Sequence, residues 1–217
     1  MENAPPQPRK RPQQDRSKLL VDSIQQACLQ ILKEEGSTSV TTQRIAEVAG
    51  VDIKSLYQYF PNKEAILASI FSDFMQLYGQ RVKRLFEPLR NLSQQSLEQT
   101  LATVIDLEAD NLFAMYEIDP VFFQSYGSHF DLHQHVNEVT QAMDNPSWEA
   151  WFPEFLLLHK DRLANTDLQT LSFIARNTLE GNLKAALREN PELLQQRRFR
   201  EELLRCLLNF LTDKTPS

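Results

Sequence analysis

Apolar residues in this chain recur at every third or fourth position, which is the period of an amphipathic helix rather than of a strand. The first such stretch covers 17–35, and its apolar side chains fall on one helical face: Leu20, Ile24, Ala27, Cys28, Ile31 and Leu32. Gly36 follows this stretch, and glycine is common just after the last residue of a helix. The pattern therefore predicts a first helix that buries one side against the rest of the chain.

Two short helices are predicted next, with a glycine between them. Thr41 or Thr42 is expected to cap the second helix, Gly50 ends it, and Asp52 is a suitable N-cap for a third helix over 53–59. Two short helices joined by a tight turn that contains glycine are typical of the helix-turn-helix motif. In that motif the third helix is held by its inner face and presents its outer face to the major groove of DNA.

The remainder of the chain is predicted to be helical as well. Asn62 should cap a fourth helix, 63–86, which ends before Pro88 because proline removes a helical hydrogen bond. Further helices are expected over 94–116, after Pro120, across 129–163 with interruptions near Pro146 and Pro153, and over 167–189 and 193–212. The sequence thus predicts an all-α fold of about nine helices, divided into a disordered arm (1–15), a three-helix head (16–64) and a larger helical body (65–217).

Composition is consistent with this picture. The chain has 217 residues, of which 41% are hydrophobic and 24% charged, and only five glycines. The N-terminus lacks the apolar segment of a secretory signal, and the apolar runs are far shorter than the roughly 18–20 residues of a membrane span. We therefore expect a cytoplasmic protein without membrane association. Cys28 and Cys206 both fall on apolar stripes and are expected to be buried, reduced thiols.

Charge is distributed unevenly along the chain. The net charge is −6, but residues 1–64 hold nine Lys or Arg and eight Asp or Glu, a net charge of +1, and the remainder carries −7. The basic residues cluster in the arm and at the start of the first helix: Arg9, Lys10, Arg11, Arg16 and Lys18. This asymmetry is compatible with DNA binding by one end of the protein. A solvated, disordered tail would have the same composition.

Residues 17–70 closely resemble the TetR family of bacterial transcriptional regulators. The matching positions, in order and spacing, are Thr42, Ile45-Ala46, Ala49-Gly50-Val51, Leu56-Tyr57, Tyr59-Phe60 and Lys63-Glu64. The chain departs from the family pattern at Asp52, where Ser or Thr is usual, and at Lys54, where glycine is common. Because a long basic side chain at that point changes which bases are read, the operator sequence of relatives does not transfer to this chain.

The resemblance implies a DNA-binding surface on the second and third helices and at the start of the fourth. The residues at the family's contact positions are Thr42, Gln43, Arg44, Ile53, Lys54, Ser55, Tyr57, Tyr59 and Lys63. Ile53, Lys54 and Ser55 lie where bases are read, and Lys54 has the donor that guanine O6 and N7 accept. Thr42, Tyr57, Tyr59 and Lys63 are expected to contact phosphates, and Gln43 and Arg44 a phosphate or a base.

The resemblance also implies a homodimer that binds a palindromic operator. The last two predicted helices should form the interface, through Leu171, Ala175, Leu179, Gly181, Leu204, Leu208 and Leu211. A small-molecule effector should enter the central helices, where candidate lining residues are Phe113, Tyr116, Phe122, Phe123, Tyr126 and Trp151. Each of these aromatic residues also suits ordinary core packing. The expected function is therefore a homodimeric repressor that a small molecule releases from double-stranded DNA.

Other functions have less support in the sequence. The chain lacks the glycine-rich phosphate loop, the G-x-S-x-G and H-E-x-x-H motifs and the paired cysteines of common enzyme and metal sites, so no catalytic residue, cofactor or metal is expected. His129 and His133 share a helical face, but His135 points away from them. A regulator that acts through protein partners, with a vestigial DNA-binding head, is the alternative, because Asp52 and the acidic body disfavour DNA.

Overall fold

The structure, a computed structural model, describes residues 4–10 and 12–213. Within these residues the regular elements are ten α-helices and four short 3₁₀ turns, with no strand, so the predicted all-α fold is confirmed. The α-helices are α1 (Asp15–Glu35), α2 (Thr42–Ala49), α3 (Ile53–Tyr59), α4 (Lys63–Ser93), α5 (Leu97–Ile118), α6 (Pro120–Tyr126), α7 (Leu132–Gln141), α8 (Trp148–Leu158), α9 (Leu168–Glu189) and α10 (Arg197–Thr212).

The helix starts in the first part of the chain are held by the capping residues that the sequence predicts. Of the two candidate threonines, Thr41 caps α2, and its hydroxyl accepts a backbone hydrogen bond of 3.1 Å. The side chains of Asp52 and Asn62 accept equivalent bonds of 2.8 and 3.0 Å at the starts of α3 and α4. Gly50 has φ 65° and ψ 31°, the left-handed conformation that glycine adopts without a steric penalty. Local sequence therefore fixes the turn between α2 and α3.

Pro88 and Pro153 were predicted to end or interrupt helices, but both lie within one. α4 continues through Pro88 to Ser93, and α8 contains Pro153. In α4 the half-buried Leu89 and Leu92 extend the apolar face of the helix beyond the proline. The packing of that face outweighs the single backbone hydrogen bond that Pro88 removes.

The chain forms two compact units. The first runs up to Leu77 and also takes in Met115–Asp131, which includes α6. Its core is built by the inward faces of α1 to α4, with the fully buried side chains Ile24, Ile31, Ile45, Leu56, Phe60, Ile66 and Phe71. α6 joins this core because Phe122 packs on Phe71, with ring centroids 4.9 Å apart. The boundary predicted from the sequence, between residues 64 and 65, also lies in α4, thirteen residues before the division between Leu77 and Tyr78. The apolar pattern did not predict that α6 would belong to the first unit.

The second unit comprises Tyr78–Ala114 and the chain from Leu132 onward. Here α8 packs on α7 and α9, and α9 packs on α10. Its core contains fully buried residues from α5, α8, α9 and α10: Leu97, Leu101, Ile105, Phe152, Phe155, Ala175, Leu183, Leu207 and Leu211. The backbone N–H of Ala164 donates to the carbonyl of Leu211 over 2.8 Å, which places the end of α10 beside the segment that leads into α9. The two helices are therefore antiparallel neighbours.

Candidate nucleic-acid interface

The inner face of α3 holds this helix to the rest of the head. Leu56 is completely buried, and Phe60, directly after the helix, is 1% exposed. α3 packs on α2, which in turn packs on α1. Since one side of the helix is used for packing, its other side, with the exposed Lys54 and Tyr57, is presented to solvent. This is the arrangement that a recognition helix requires.

The three residues at the start of α3 lie where the sequence predicts the base contacts. Lys54 is exposed, while Ile53 and Ser55 are half-buried. The cap formed by Asp52 uses its carboxylate to accept the backbone N–H of Lys54. The negative charge of Asp52 is thus held at the helix start by the backbone, where the helix dipole favours it.

Thr42 and Tyr57 are joined by their hydroxyl groups, which lie 3.0 Å apart. Thr42 is free for this contact because its neighbour Thr41 supplies the cap of α2. Both hydroxyls were predicted to contact phosphate, and the structure places them side by side. Together they form a small polar surface that links the start of α2 to the middle of α3.

Arg44 and Gln43 are bound to acidic side chains of the same chain. The Arg44 guanidinium lies 2.7 Å from a carboxylate oxygen of Glu35 and 3.7 Å from one of Glu47. The hydrogen bond from Arg44 lowers the pKa of Glu35. Gln43 donates to Glu47 over 3.3 Å. Either side chain must exchange these acidic partners before it can bind DNA.

The end of α3 has a partner that the sequence reasoning did not foresee. The backbone N–H of Arg9 donates to the carbonyl of Tyr59 over 2.7 Å, and the Arg9 guanidinium donates to the carbonyl of Tyr57 over 3.1 Å. The Lys10 ammonium lies 4.5 Å from the centroid of the Tyr59 ring. In the arm, which was expected to be disordered, Arg9 and Lys10 contact the end of α3, while 1–3 and Arg11 are outside the described residues. The only signal in the sequence was the basic character of the arm.

The predicted effector residues fall in both compact units. Tyr116, Phe122, Phe123 and Tyr126 belong to the first unit, where Phe122 is 4% exposed and packs on Phe71 and Tyr126. The Tyr116 and Phe123 rings meet edge to face at 6.1 Å. Phe122 is therefore a core residue of the first unit, as the packing interpretation of these aromatic residues expects.

Phe113 and Trp151 belong to the second unit. Trp151 stacks on both Trp148 and Phe155, with ring centroids at 5.3 and 5.1 Å. Both tryptophans of the chain thus lie together on α8, half-buried.

A polar group in the second unit was not singled out by the sequence. An oxygen of Glu108 lies 3.5 Å from Nε2 of His133, and this same oxygen is buried without a hydrogen bond in the described structure. The His133 ring meets the Trp148 ring at 6.3 Å. Burial raises the pKa of Tyr78, and the nearby carboxylate of Glu108 adds to the shift. A local pattern could not reveal this group, because its members come from α4, α5, α7 and α8.

The predicted dimer residues separate into two sets. Leu171, Ala175, Leu179 and Leu211 are at most 5% exposed and pack inside the chain, which a helical stripe alone could not distinguish from an interface. Gly181 is exposed, and Leu204 and Leu208 are half-buried. The apolar side chains that α9 and α10 do expose are Phe173 (62%), Ile174 (39%) and Phe210 (37%).

The two cysteines also differ from each other. Cys28 is buried, and burial raises the pKa of its thiol to about 12. Cys206, predicted to be buried, is exposed on α10. Cys206 lies at the edge of the apolar stripe of α10, next to the buried Leu207.

Two further features of the described residues bear on function. Across 4–10 and 12–213, His, Cys, Asp and Glu side chains do not gather in groups of three that could hold a metal ion. In the same ranges, every helix is too short or too polar to cross a membrane.

Comparison with known proteins identifies the family. Residues 24–70 match the model of the bacterial regulatory proteins of the tetR family, and residues 100–211, just over half of the chain, match the tetracyclin repressor-like C-terminal domain. The chain belongs to the TetR family of transcriptional regulators. The helix-turn-helix of α2 and α3 lies within the first match.

Individual relatives are more distant. The fatty acid metabolism regulator protein of Bacillus subtilis strain 168 is 29% identical over 120 residues, which span 55% of this chain and 59% of that protein. A TetR-family regulator from Mesorhizobium loti has a TM-score of 0.53 at 14% identity, covering 92% of this chain and 100% of the other. The Bacillus subtilis regulator FadR, solved with stearoyl-CoA, has a TM-score of 0.48 at 20% identity, covering 89% and 98%.

Proposed function

We propose that this chain is a homodimeric, sequence-specific DNA-binding repressor that a small molecule releases from a palindromic operator. The observation that carries the proposal is the outer face of α3. It exposes Lys54 beside the half-buried Ile53 and Ser55, and it carries Tyr57, whose hydroxyl lies 3.0 Å from that of Thr42. Donors suited to base edges next to donors suited to phosphates are what major-groove recognition requires.

The roles within this surface follow from the chemistry of each side chain. Lys54 is assigned to a guanine edge, with Ile53 against a thymine methyl group and Ser55 as an adaptable partner. Thr42, Tyr57, Tyr59 and Lys63 are assigned to phosphates, and Gln43 and Arg44 join once they leave their acidic partners. Phosphate contacts set affinity and register, whereas the residues at the start of α3 set the sequence.

Dimerisation is proposed through the outward faces of α9 and α10. Phe173, Ile174 and Phe210 are exposed there, and the antiparallel arrangement of the two helices brings these residues to the same end of the pair. Gly181 is exposed on α9, and a Cβ added to it would meet no atom of the described chain within 4 Å beyond its chain neighbours and the backbone of its own helix. A two-fold pairing of this face would present two copies of α3, and thus select a palindrome.

Cys206 provides a direct test of this interface. The exposed thiol should react with a maleimide when the protein is dilute and be protected when the dimer forms, while Cys28 stays unreactive because its pKa is about 12. Phe173→Glu should abolish the protection and yield a monomer in sedimentation. Leu19→Glu alters a residue of α1 that is 67% exposed and should leave the dimer intact. Equal labelling at all protein concentrations would contradict the interface.

The proposed effector acts by shifting the population of two conformations. α6 is the structural element through which we expect the head to respond. It lies within the C-terminal family match, yet Asp119 at its start accepts a hydrogen bond from Ser37 over 2.9 Å, and Phe122 packs on Phe71 of α4. Because Ser37 directly precedes the segment leading into α2, a displacement of α6 would change the position of α2 and α3.

Effector chemistry is proposed from the second unit. The stacked Trp148 and Trp151 offer an apolar, aromatic surface, and the buried oxygen of Glu108 offers an acceptor near His133. Since a relative is by name a regulator of fatty acid metabolism, acyl compounds are the first class to test. The chain has only these two tryptophans, so quenching of intrinsic fluorescence reports binding at this place. A ligand that binds without quenching would argue against this location.

Selection from random double-stranded DNA tests the proposed function as a whole. The full chain should enrich a palindrome, and bound DNA should dissociate steeply as salt rises because phosphate contacts release counterions. If no sequence is enriched even at low salt, the DNA-binding proposal fails. The alternative, a regulator that acts through protein partners, would then be favoured by the excess of acidic residues after residue 64.

A further inference from the structure

The carboxyl end of α3 is completed by residues of the arm. The last carbonyls of any helix lack partners within the helix and need donors from elsewhere. Here Arg9 supplies two of them, its backbone N–H to Tyr59 at 2.7 Å and its guanidinium to Tyr57 at 3.1 Å. Pro5, four residues before Arg9 in the arm, is buried. The arm is thus attached to the head by the hydrogen bonds of Arg9, and part of it is shielded from solvent.

These contacts matter for a helix as short as α3. It has only seven residues, far fewer than an isolated helix needs for stability in water. A cation at a helix C-terminus is favoured by the helix dipole, and the ammonium of Lys10, 4.5 Å from the Tyr59 ring centroid, adds a cation–π contact. The arm therefore stabilises the end of the helix that carries Tyr57 and Tyr59.

We propose that residues 4–10 are part of the DNA-binding surface. Arg9 is a positioning residue that holds the carboxyl end of α3, and so orients Tyr57 and Tyr59 toward phosphates. Lys10 contributes a phosphate contact of its own beside Tyr59. This inference rests on the proposed function, since it assigns the arm to the same DNA-binding site.

The local charge of the arm, rather than the net charge of the chain, supports a DNA partner for the arm. Residues 1–64 carry a net charge of only +1 and the remainder carries −7. Phosphate binding depends on local cations rather than on the net charge of the protein. Lys10 adjoins the predicted phosphate-binding tyrosines, so its cation lies where it is most effective.

Salt dependence of DNA binding tests the role of Lys10. The full chain and Lys10→Gln are titrated with the selected operator at several salt concentrations, with Lys33→Gln as the control. Lys33 is an exposed lysine of α1, so its substitution removes the same charge from the same unit. Lys10→Gln should reduce the slope of log K against log salt by about 0.9, the amount expected for one phosphate contact. The control should keep the original slope, and equal slopes for both variants would overturn the assignment of Lys10.

Arg9 is tested by a pair of variants and by amide exchange. Arg9→Ala should lower the affinity for the operator and for scrambled DNA alike, by about tenfold. Arg9→Lys, which keeps a cation at the helix end, should recover part of that loss, a rescue that a purely steric role would not give. In the wild-type protein without DNA, the Arg9 amide should be protected from hydrogen exchange. An unprotected amide, or full affinity in Arg9→Ala, would overturn the positioning role.

Failure of this inference is distinguishable from failure of the proposed function. If the wild-type chain enriches no DNA sequence, both fall, whatever the variants do. If the wild-type chain binds a palindrome and both arm variants bind it with unchanged affinity and slope, only the arm assignment falls. Protection of the Arg9 amide in that second case would show a contact that supports α3 without serving DNA binding, which also overturns the inference.

Discussion

The hydroxyl groups of Thr42 and Tyr57 lie 3.0 Å apart and connect the first residue of α2 to the outer face of α3. The two residues are fifteen positions apart in the sequence, and the left-handed turn at Gly50 brings them together. Both carry a donor suited to a phosphate oxygen. We expect the pair to act as one phosphate-binding surface, in which each hydroxyl orients the other.

Substitutions at this pair should weaken DNA binding without changing sequence preference. Thr42→Val removes the hydroxyl and keeps the shape, whereas Thr42→Ser keeps the hydroxyl. Thr42→Val and Tyr57→Phe should each lower affinity for all DNA sequences by roughly 1 kcal/mol, the net value of one hydrogen bond, and Thr42→Ser should remain close to wild type. Competition binding with operator and scrambled DNA measures this. A loss confined to the operator would instead assign these hydroxyls to base recognition.

Lys54→Ala should alter sequence preference. Because Lys54 is exposed at the start of α3, its removal should cost about 1–3 kcal/mol on the preferred operator and relax the choice at one or two base pairs. Repeating the selection from random DNA with the variant gives the measurement. Lys63→Ala is the comparison, since it should weaken all sequences alike. An unchanged consensus for Lys54→Ala would show that this side chain does not read bases.

Glu35→Gln should increase DNA affinity. The variant removes the carboxylate that holds the Arg44 guanidinium at 2.7 Å and leaves it only the longer contact of 3.7 Å with Glu47, so Arg44 turns to a phosphate more readily. We expect a gain of several-fold at low salt and a steeper salt dependence. Glu34→Gln is the matched control, because Glu34 is exposed, carries the same charge and pairs with Gln30 instead. Equal gains in both variants would indicate a general charge effect and leave Arg44 without a role.

Gly181→Ala should affect the monomer and the dimer in opposite directions. Within a helix, alanine is more favourable than glycine by about 1 kcal/mol, and the added Cβ meets no atom of the described chain within 4 Å beyond its chain neighbours and its own helix backbone. The monomer should therefore gain thermal stability at low protein concentration. If a partner copy packs closely on Gly181, the same variant should raise the dimer dissociation constant in sedimentation. An unchanged dissociation constant would place Gly181 outside the interface.

The ion pair between Glu98 and Arg162 should give the second unit a pH-dependent stability. The hydrogen bond from Arg162 lowers the pKa of Glu98 from 4.5 to about 2. A lowered pKa in the folded state stabilises the protein above pH 4.5, and this stabilisation is lost as the pH falls from 4.5 toward 2. The difference in melting temperature between wild type and Arg162→Gln should therefore shrink over that range. Arg198→Gln, which alters an exposed arginine of α10, should show a difference that does not follow this pH dependence.

Much of the fold could be predicted because it depends on local patterns. Apolar spacing identified the helices, and Asp52 and Asn62 identified two of their starts, because an N-cap bonds only to residues two or three positions away. The glycine turn and the residues after it likewise predicted the head and the exposed outer face of α3, because these signals are also local. Two prolines were misleading, since Pro88 and Pro153 lie inside helices whose packing compensates for a lost hydrogen bond, whereas Pro120 does begin a helix after its capping Asp119.

Tertiary structure decided which neighbour each side chain meets. An apolar stripe does not specify whether it packs inside the chain or against a partner, and Leu171 and Leu211 turned out to be buried within the chain. Three relationships join different segments of the chain. Arg44 pairs with Glu35, Arg9 binds the end of α3, and α6 belongs to the first unit. The sequence by itself thus determined the helices and the helix-turn-helix of the head, because their signals lie within a few residues of one another. Contacts between distant segments depend on the folded arrangement of the whole unit, and only the structure could show them.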